Sequence, residues 1–281
     1  MNDKKLMVYK SNHLIESAYK LNLNEQRVLL ICIGMITSNE PMSINDKFEV
    51  SAKNFAKIFD IDERGAYDQL RDVAISLHSR KITIHDNKKL ITTSWISGFV
   101  EYKDNTGVIE LWFSQLILPY LADLKSQFTR YDLSNISGMS SIYGIRLYEL
   151  LMQWRTKGKR EIEISWLKER FEIANNYNSI SDLKKYVINP AINNINNVSN
   201  LNVTHTYRKT GRTVSHITFE FNEKKVASIP TPTAAKPQKN RKPDDVKIDN
   251  FEHFAQMRQR YGNAAPIPPE YIELLKAAGK W

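Results

Sequence analysis

The stretch of sequence that decides the fold covers residues 161–221 and reads EIEISWLKERFEIANNYNSISDLKKYVINPAINNINNVSNLNVTHTYRKTGRTVSHITFEF. Its opening predicts a short extended segment and then a short helix with Ser165 as N-cap, because a serine there accepts a hydrogen bond from a free amide of the first turn. Leu167 and Phe171 lie four positions apart, as on one face of that helix. The polar residues 175–179 then predict a turn.

A longer helix and a β-hairpin follow the turn. Apolar residues recur at four-residue intervals along the inward face of this helix, at Leu183, Val187, Ala191 and Ile195. A bend is expected at Pro190, because proline has no backbone N–H to donate. Alternation with a period of two, from Leu201 to Phe221, predicts two antiparallel strands. We expect His205, on the inward side of the first strand, to pack in the core.

The first half of the chain repeats this order of elements. Residues 12–37 predict two helices, and residues 48–50 predict a short extended segment with Ser51 as the following cap. A short helix, a turn and a longer helix follow, as in the second half. Period-two alternation then predicts strands at residues 82–84, 90–101 and 108–113, the last two joined by a turn at 104–107.

The two halves also align residue by residue. Glu49-Val50-Ser51 corresponds to Glu163-Ile164-Ser165 at an offset of 114 positions, and Leu70 corresponds to Leu183 at an offset of 113. Each copy reads helix, short strand, helix, turn, helix and hairpin. This order is that of a winged helix, a helix-turn-helix with an appended β-hairpin. Two such units in tandem are much less expected by chance than one.

We therefore predict an α+β fold with two tandem winged-helix domains and a flexible proline-rich C-terminal tail. The N-terminal winged-helix domain is placed at residues 1–135 and the C-terminal one at residues 136–225. The second domain begins with an apolar helix, residues 141–155, whose polar side chains Arg146, Glu149 and Gln153 share one face. Residues 226–281 are rich in proline, lysine and threonine at their start, which predicts a flexible linker and tail.

The charge of the chain is distributed unevenly. Residues 1–140 hold 17 Lys+Arg and 17 Asp+Glu, residues 141–225 hold 14 and 8, and residues 226–281 hold 9 and 6. Because the second domain is basic and the first is neutral, we expect the second domain to bind phosphates and the first to have another role. Because such an excess also serves solubility, charge alone does not decide the function.

Composition excludes several classes of protein. The longest apolar run, residues 28–36, is nine residues long, whereas a membrane span needs about 20. The N-terminal residues show no apolar signal core, which predicts a cytoplasmic protein. The single cysteine, Cys32, cannot form an internal disulfide. We expect it to be a small buried hydrophobe in its helix.

The sequence lacks the motifs of an enzyme, a metal site or a cofactor site. Gly158-Lys159 has neither the upstream glycine nor the following hydroxyl residue of a P-loop. The six histidines include no H-x-H or H-E-x-x-H pair, and no G-x-S-x-G motif is present. We therefore predict no catalytic site, no metal and no cofactor.

The candidate DNA-binding residues of the second domain lie on its longer helix and hairpin. Lys184 and Lys185 are expected to project outward near the start of the helix, where a recognition helix contacts base edges. Asn189 lies one turn further on, and its amide matches the edge of adenine. Three cations near the turn of the hairpin, Arg208, Lys209 and Arg212, suit sequence-independent phosphate or minor-groove contacts.

The first domain offers weaker candidates. Its longer helix carries Arg64 and Arg71, but Asp68 and Asp72 accompany them. The hairpin at residues 85–89 carries two lysines offset by Asp86. This domain is therefore interpreted either as a dimerisation surface or as a second DNA reader of modest affinity.

Several motifs together resemble one known family. They are residues 11–15 (SNHLI), 23–27 (LNEQR), 128–133 (FTRYDL), 141–151 (SIYGIRLYELL), 182–191 (DLKKYVINPA) and Gly211-Arg212. With these motifs the chain resembles the iteron-binding plasmid replication initiators, the RepE-like Rep proteins, over residues 5–223. The resemblance does not extend to residues 224–281.

The resemblance implies a specific activity. Monomers would bind direct repeats, or iterons, in double-stranded origin DNA and start replication, while dimers would repress their own promoter. The second domain would read the DNA, and the first would mediate dimerisation and a secondary DNA contact. Host DnaA, the replicative helicase and chaperones would be partners.

Other functions remain open at this point. A tandem winged-helix transcriptional repressor without replication activity needs the same DNA contacts. A nicking relaxase would cleave single-stranded DNA with a metal and form a covalent tyrosyl adduct. A protein-binding module would leave the basic hairpin without a role.

Overall fold

The computed structural model describes residues 6–37, 40–102, 107–122, 124, 127–224, 272, 275, 276 and 278. Residues Met1–Lys224 form one compact unit, and Lys225–Trp281 form a second. The predicted tail, residues 226–281, lies outside the described residues except for four positions. The architecture below is therefore that of the first unit.

The first half of this unit alternates short helices and strands. In chain order the elements are β1 (Met7–Ser11), α1 (Asn12–Ile15), β2 (Ala18–Tyr19), α2 (Leu23–Met35), β3 (Phe48–Ser51), α3 (Ala52–Phe59), α4 (Ala66–Ser79), β4 (Lys81–Asp86), β5 (Lys89–Ser94), β6 (Ile96–Glu101), β7 (Val108–Phe113) and β8 (Phe128–Asp132). Short 3₁₀ helices cover Gln115–Tyr120 and Leu133–Asn135.

The second half follows the predicted order closely. Its elements are α5 (Ile142–Met152), β9 (Lys159–Glu163), α6 (Ile164–Arg170), α7 (Ile180–Leu183), a π-helical turn (Lys184–Ile188), α8 (Asn189–Val198), β10 (Leu201–Thr210) and β11 (Thr213–Glu223). The segment from α7 to α8 is the longer helix of the sequence analysis, and we refer to it as the α7–α8 helix.

The two halves share one sheet topology. One three-stranded sheet of the first half has the order β3-β7-β6, and the three-stranded sheet of the second half has the order β9-β11-β10. In each sheet the strand before the helix-turn-helix pairs with the second strand of the hairpin, and all neighbours are antiparallel. The predicted tandem winged-helix architecture is thus present in the backbone.

The first half contains an additional hairpin between its longer helix and its wing. The run at 90–101, predicted as one strand, is two strands, because the chain turns at the buried Trp95 and passes from one sheet to another. Strands β4 and β5 pair with each other and with β2 in a separate sheet. The hairpin at residues 85–89 is therefore an insertion, and the counterpart of the second wing is β6–β7.

Polar side chains cap several of the helices, but not α6. The side chains of Asn22 and Glu25 form a reciprocal capping box at the start of α2. Ser51 accepts a hydrogen bond from the amide of Asn54, as predicted. The prediction for Ser165 is wrong, because α6 begins one residue before it and the Ser165 hydroxyl donates to the carboxylate of Glu163 instead.

The α7–α8 helix accommodates Pro190 through its π-helical turn. Within this turn the chain makes i to i+5 hydrogen bonds, and the amide of Asn189 donates to the carbonyl of Lys184. One residue more than in an α-turn is therefore inserted just before the proline, which cannot donate. The inward residues predicted for this helix are all buried, at Leu183, Val187, Ala191 and Ile195.

The polar face predicted for α5 is buried against the first domain. Arg146 donates to the carbonyl oxygens of Tyr19 at 3.0 Å, Ser17 at 2.7 Å and Arg170 at 3.1 Å. Its guanidinium carbon lies 3.6 Å from the centre of the Tyr19 ring. This side chain therefore joins residues 17–19 of the first domain to the second domain.

A buried ion pair lies on the same face of α5. Lys10 of β1 donates to Glu149 Oε1 at 2.6 Å, and both side chains are at most 3% exposed. The hydroxyl of Tyr131 also donates to this carboxylate. Burial raises the pKa of Tyr131 well above its ordinary value, and the negative charge of Glu149 adds to that shift. The carboxylate is therefore paired through Oε1 alone among the described residues.

Cys32 packs as predicted. Its side chain lies in the middle of α2 and is buried in the core. Burial raises the pKa of its thiol to about 12. The thiol is thus protonated and inert in the folded chain.

Candidate nucleic-acid interface

The outward face of the α7–α8 helix is polar along its whole length. Ser179 caps the helix by accepting a hydrogen bond from the amide of Asp182 at 3.0 Å. The exposed side chains that recur at four-residue intervals are Ser181, Lys185, Asn189, Asn193 and Asn197. This face, with donors and acceptors on a convex helix, suits the edges of bases in a major groove.

Lys184 is placed differently from the sequence prediction. Its side chain is half-buried rather than projecting outward. The ammonium nitrogen lies 3.8 Å from the centre of the Tyr207 ring on β10. Lys184 therefore links the helix to the wing.

Lys185 and Asn189 are exposed, as predicted. Neither forms a hydrogen bond or an ion pair with another described residue, so their polar groups are available to a ligand. Lys185 lies 4.8 Å above the ring of Tyr186, its neighbour on the same helix. Tyr186 is 51% exposed. Tyr186 was not among the residues predicted from the sequence, although its position beside Lys185 would have been a signal.

The wing places its cations in two different settings. Lys209 and Arg212 are exposed near the turn at Gly211, and within residues 127–224 neither has an ion-pair partner. Arg208 lies below a β-bulge and forms two hydrogen bonds with the carboxylate of Glu161 on β9, at 2.8 and 3.0 Å. This pairing lowers the pKa of Glu161. Its partner is distant in sequence, so sequence inspection could not reveal the pair.

His205 and Tyr207 form the junction between wing and helix. The two rings meet edge to face with centres 5.1 Å apart. Burial and then the charge of Lys184 lower the pKa of His205. Burial raises the pKa of Tyr207 to about 12. His205 is half-buried rather than a full member of the core, since the hydrophobic layer thins toward the wing.

The candidates in the first domain are paired with neighbouring carboxylates. Arg64 forms three hydrogen bonds with the carboxylate of Asp62, with its Nη2 at 2.9 Å from Oδ2. Arg71 lies 3.2 Å from Asp68 and 3.3 Å from Asp72. The two arginines therefore project less net positive charge than the wing of the second domain.

Metal centres and membrane-spanning helices are absent from the described residues. These residues contain no group of three or more histidine, cysteine, aspartate or glutamate side chains that could hold a metal ion. Among their helices, none has the length and apolar character needed to cross a membrane.

Comparison with known families agrees with this geometry. A model described as Initiator Replication protein, WH1, matches residues 7–152, which is more than half of the chain. This chain belongs to the initiator replication protein family. A second model of that family, described as Initiator Rep protein, WH2, matches residues 163–221. Membership confirms the two winged-helix domains and the resemblance to replication initiators.

Individual members of the initiator family are similar over most of the chain. A replication initiation protein of Escherichia coli is 28% identical over 223 residues, which is 76% of this chain and 69% of that protein. The PI protein of Escherichia coli is 24% identical over 254 residues, 78% of this chain and 83% of that protein. The crystal structure of the Pi initiator protein in complex with iteron DNA superimposes with a TM-score of 0.68 at 25% identity, covering 79% of this chain and 99% of that chain.

Proposed function

We propose that this chain initiates plasmid replication by binding iterons, the direct repeats of an origin, as a monomer. The observation that carries the proposal is the match of both winged-helix domains to an initiator that was solved on iteron DNA. The exposed polar face of the α7–α8 helix and the exposed cations of the wing support it. A winged helix reads sequence with its helix, while cations add affinity through phosphates.

The two domains would divide the work. The C-terminal domain, residues 136–225, is the proposed main reader, because it carries the basic excess and the exposed cations of the wing. The N-terminal domain, residues 1–135, would mediate dimerisation and a secondary DNA contact through Arg64 and Arg71. The dimer would repress the promoter of its own gene.

Each candidate residue has a proposed role. Lys185 and Asn189 would contact base edges, since they lie exposed in the second and third turns of the helix. Lys184 would hold the helix and the wing together in the bound arrangement, and its charge would add to the positive potential there. Arg208, Lys209 and Arg212 would contact phosphates, Arg208 after its pair with Glu161 loosens.

The proposed activity uses no catalytic site and no cofactor. Origin opening would follow from binding energy and from recruitment of host proteins in the bacterial cytoplasm. DnaA, the replicative helicase and chaperones are the partners that we propose, from the resemblance to RepE-like initiators.

A gel-shift titration over a range of salt concentrations tests the proposal. The DNA would be a fragment from beside the gene that contains direct repeats, with random DNA of equal length as control. We expect a ladder with one complex per repeat and a strong preference over random DNA. A single complex on one operator would favour a repressor, and equal weak binding to both DNAs would overturn the proposal.

A double variant tests the recognition helix. Lys184→Ala with Lys185→Ala should abolish specific binding while the circular-dichroism spectrum stays unchanged. Lys168→Ala, on α6, removes a lysine outside this helix and should keep repeat binding close to wild type. A footprint at wild-type concentration with the double variant would show that the helix does not read the DNA in this way.

A further inference from the structure

Tyr186 is the most exposed large aromatic side chain of the described second domain, and it lies on the helix proposed to read DNA. It is 51% exposed, whereas the next such residue, Trp154, is 37% exposed and lies on the turn after α5. Its immediate neighbour is Lys185, one of the proposed base contacts. An aromatic ring at this point would enter the major groove together with the helix.

A chain of aromatic rings holds Tyr186 in place. Phe171, in the core, stacks on Tyr143 with centres 5.5 Å apart and planes inclined by 21°. Burial, and then the neighbouring phenol of Tyr177, raise the pKa of Tyr143 to about 12. Tyr177 then stacks on Tyr186 with centres 6.1 Å apart and planes inclined by 29°. The exposed ring is therefore backed by a series of packed rings that begins in the hydrophobic core.

The backbone conformation of Tyr177 determines the direction of its ring. Tyr177 adopts a left-handed backbone conformation with φ of 54°, which is uncommon for a bulky residue. The turn of the helix-turn-helix thereby directs a ring toward Tyr186. Because the ring is oriented before binding, little side-chain freedom remains to be lost when DNA contacts it.

The chemistry of the major groove identifies the ligand of such a ring. Base edges there present hydrogen-bond donors and acceptors, and only thymine presents an apolar group, the C5-methyl. The outward ring of Tyr186 is an apolar surface surrounded by polar side chains. We propose that Tyr186 contacts the C5-methyl group of one thymine in each repeat and is a specificity-determining residue. This inference rests on the proposed binding of repeated DNA.

Deoxyuridine tests the contact directly, because it differs from thymidine only by that methyl group. Each thymine of the bound repeat would be replaced in turn, and the Kd measured by fluorescence anisotropy with the full chain. Replacement at one position should raise the Kd of the wild-type chain about fourfold, which is the effect of removing one methyl group from an apolar contact. With Tyr186→Ala the same replacement should have no effect on the Kd.

Two further variants separate the ring from other contributions. Tyr186→Phe keeps the apolar ring and loses the hydroxyl, so it should retain the fourfold preference for thymine. Trp154→Ala removes an exposed aromatic residue outside the helix and should also retain it. Loss of the preference with Tyr186→Phe would overturn the methyl contact in favour of a hydrogen bond from the phenol.

A measurement on the unaltered protein covers the case in which Tyr186→Ala binds no DNA. 5-Iodouracil at the sensitive thymine position should crosslink to Tyr186 on irradiation, and mass spectrometry of the peptide identifies the residue. A crosslink to a different residue, or repeat binding with no sensitive thymine, would overturn this inference alone. Absence of any preference for the repeats by the wild-type chain would instead overturn the proposed function.

Discussion

Breaking the buried ion pair between Lys10 and Glu149 is expected to lower the stability of the folded chain by several kcal/mol. The two side chains meet at 2.6 Å between β1 and α5, and both are withdrawn from water. Lys10→Met removes the cation and leaves the carboxylate buried, with the hydroxyl of Tyr131 as its remaining partner. Breaking a buried pair in this way costs about 3–5 kcal/mol, because the charge that stays behind is uncompensated.

Thermal and urea unfolding of the full chain measure this effect. For a unit the size of Met1–Lys224, a loss of 3–5 kcal/mol lowers the Tm by roughly 6–20 °C. Glu149→Gln should cost a similar amount, since it leaves the ammonium group of Lys10 buried.

The double variant decides whether the pairing itself is responsible. Lys10→Met with Glu149→Gln removes both charges, and the new amide oxygen can still accept from Tyr131. We expect it to lie within about 1–2 kcal/mol of wild type, because two uncharged side chains carry no large desolvation penalty. If Lys10→Met alone costs under 1 kcal/mol, or if the two single effects simply add, the reasoning is refuted.

Three further predictions concern the wing and the core. Arg212→Ala should weaken binding to all DNA sequences alike and reduce the slope of log Kd against log salt concentration by about 0.9. Arg208→Ala should reduce this slope less, because Arg208 is already paired with Glu161. Equal slopes for the two variants would contradict this difference. The folded-state pKa of His205 is lowered, so the unfolded chain takes up its proton first as the pH falls below about 6.5. Stability should therefore decrease on acidification through that range, and His205→Gln should remove this part of the pH dependence of the Tm. Burial raises the pKa of the Cys32 thiol to about 12. This thiol should therefore resist alkylation by iodoacetamide at pH 8 in the native protein and react promptly in urea. Rapid alkylation of the native chain would contradict the burial of Cys32.

The repeating order of elements was predictable from sequence because it depends on local patterns. Four-residue spacing of apolar residues located the α7–α8 helix, and period-two alternation located β10 and β11. Polar caps such as Ser51 work within a few residues of one another, so their role is visible in the sequence. The same is true of the buried Cys32, which lies in a run of apolar neighbours.

The features that sequence analysis missed depend on long-range contacts. The split at Trp95 follows from two sheets competing for one run of strand-forming residues, and neither sheet is visible locally. The polar face of α5 was visible in the sequence but its partners were not, because Arg146 donates to backbone carbonyls about 130 positions away in sequence. Lys184 contacts Tyr207 on β10, and Arg208 pairs with Glu161 on β9. Their availability to DNA depends on those partners.

The π-helical turn has a consequence for the phase of the α7–α8 helix. An α-helix advances about 100° per residue, so side chains spaced by four positions drift by about 40° at each step. From Ser181 to Asn197 that drift would reach about 160°, and the last asparagines would point to the opposite side. The extra residue in the turn reverses about 100° of it. The turn thus keeps a four-residue repeat in a single stripe, and relaxing it to regular α-helical geometry with no residue removed would rotate Asn193 and Asn197 by about 100° relative to Lys185.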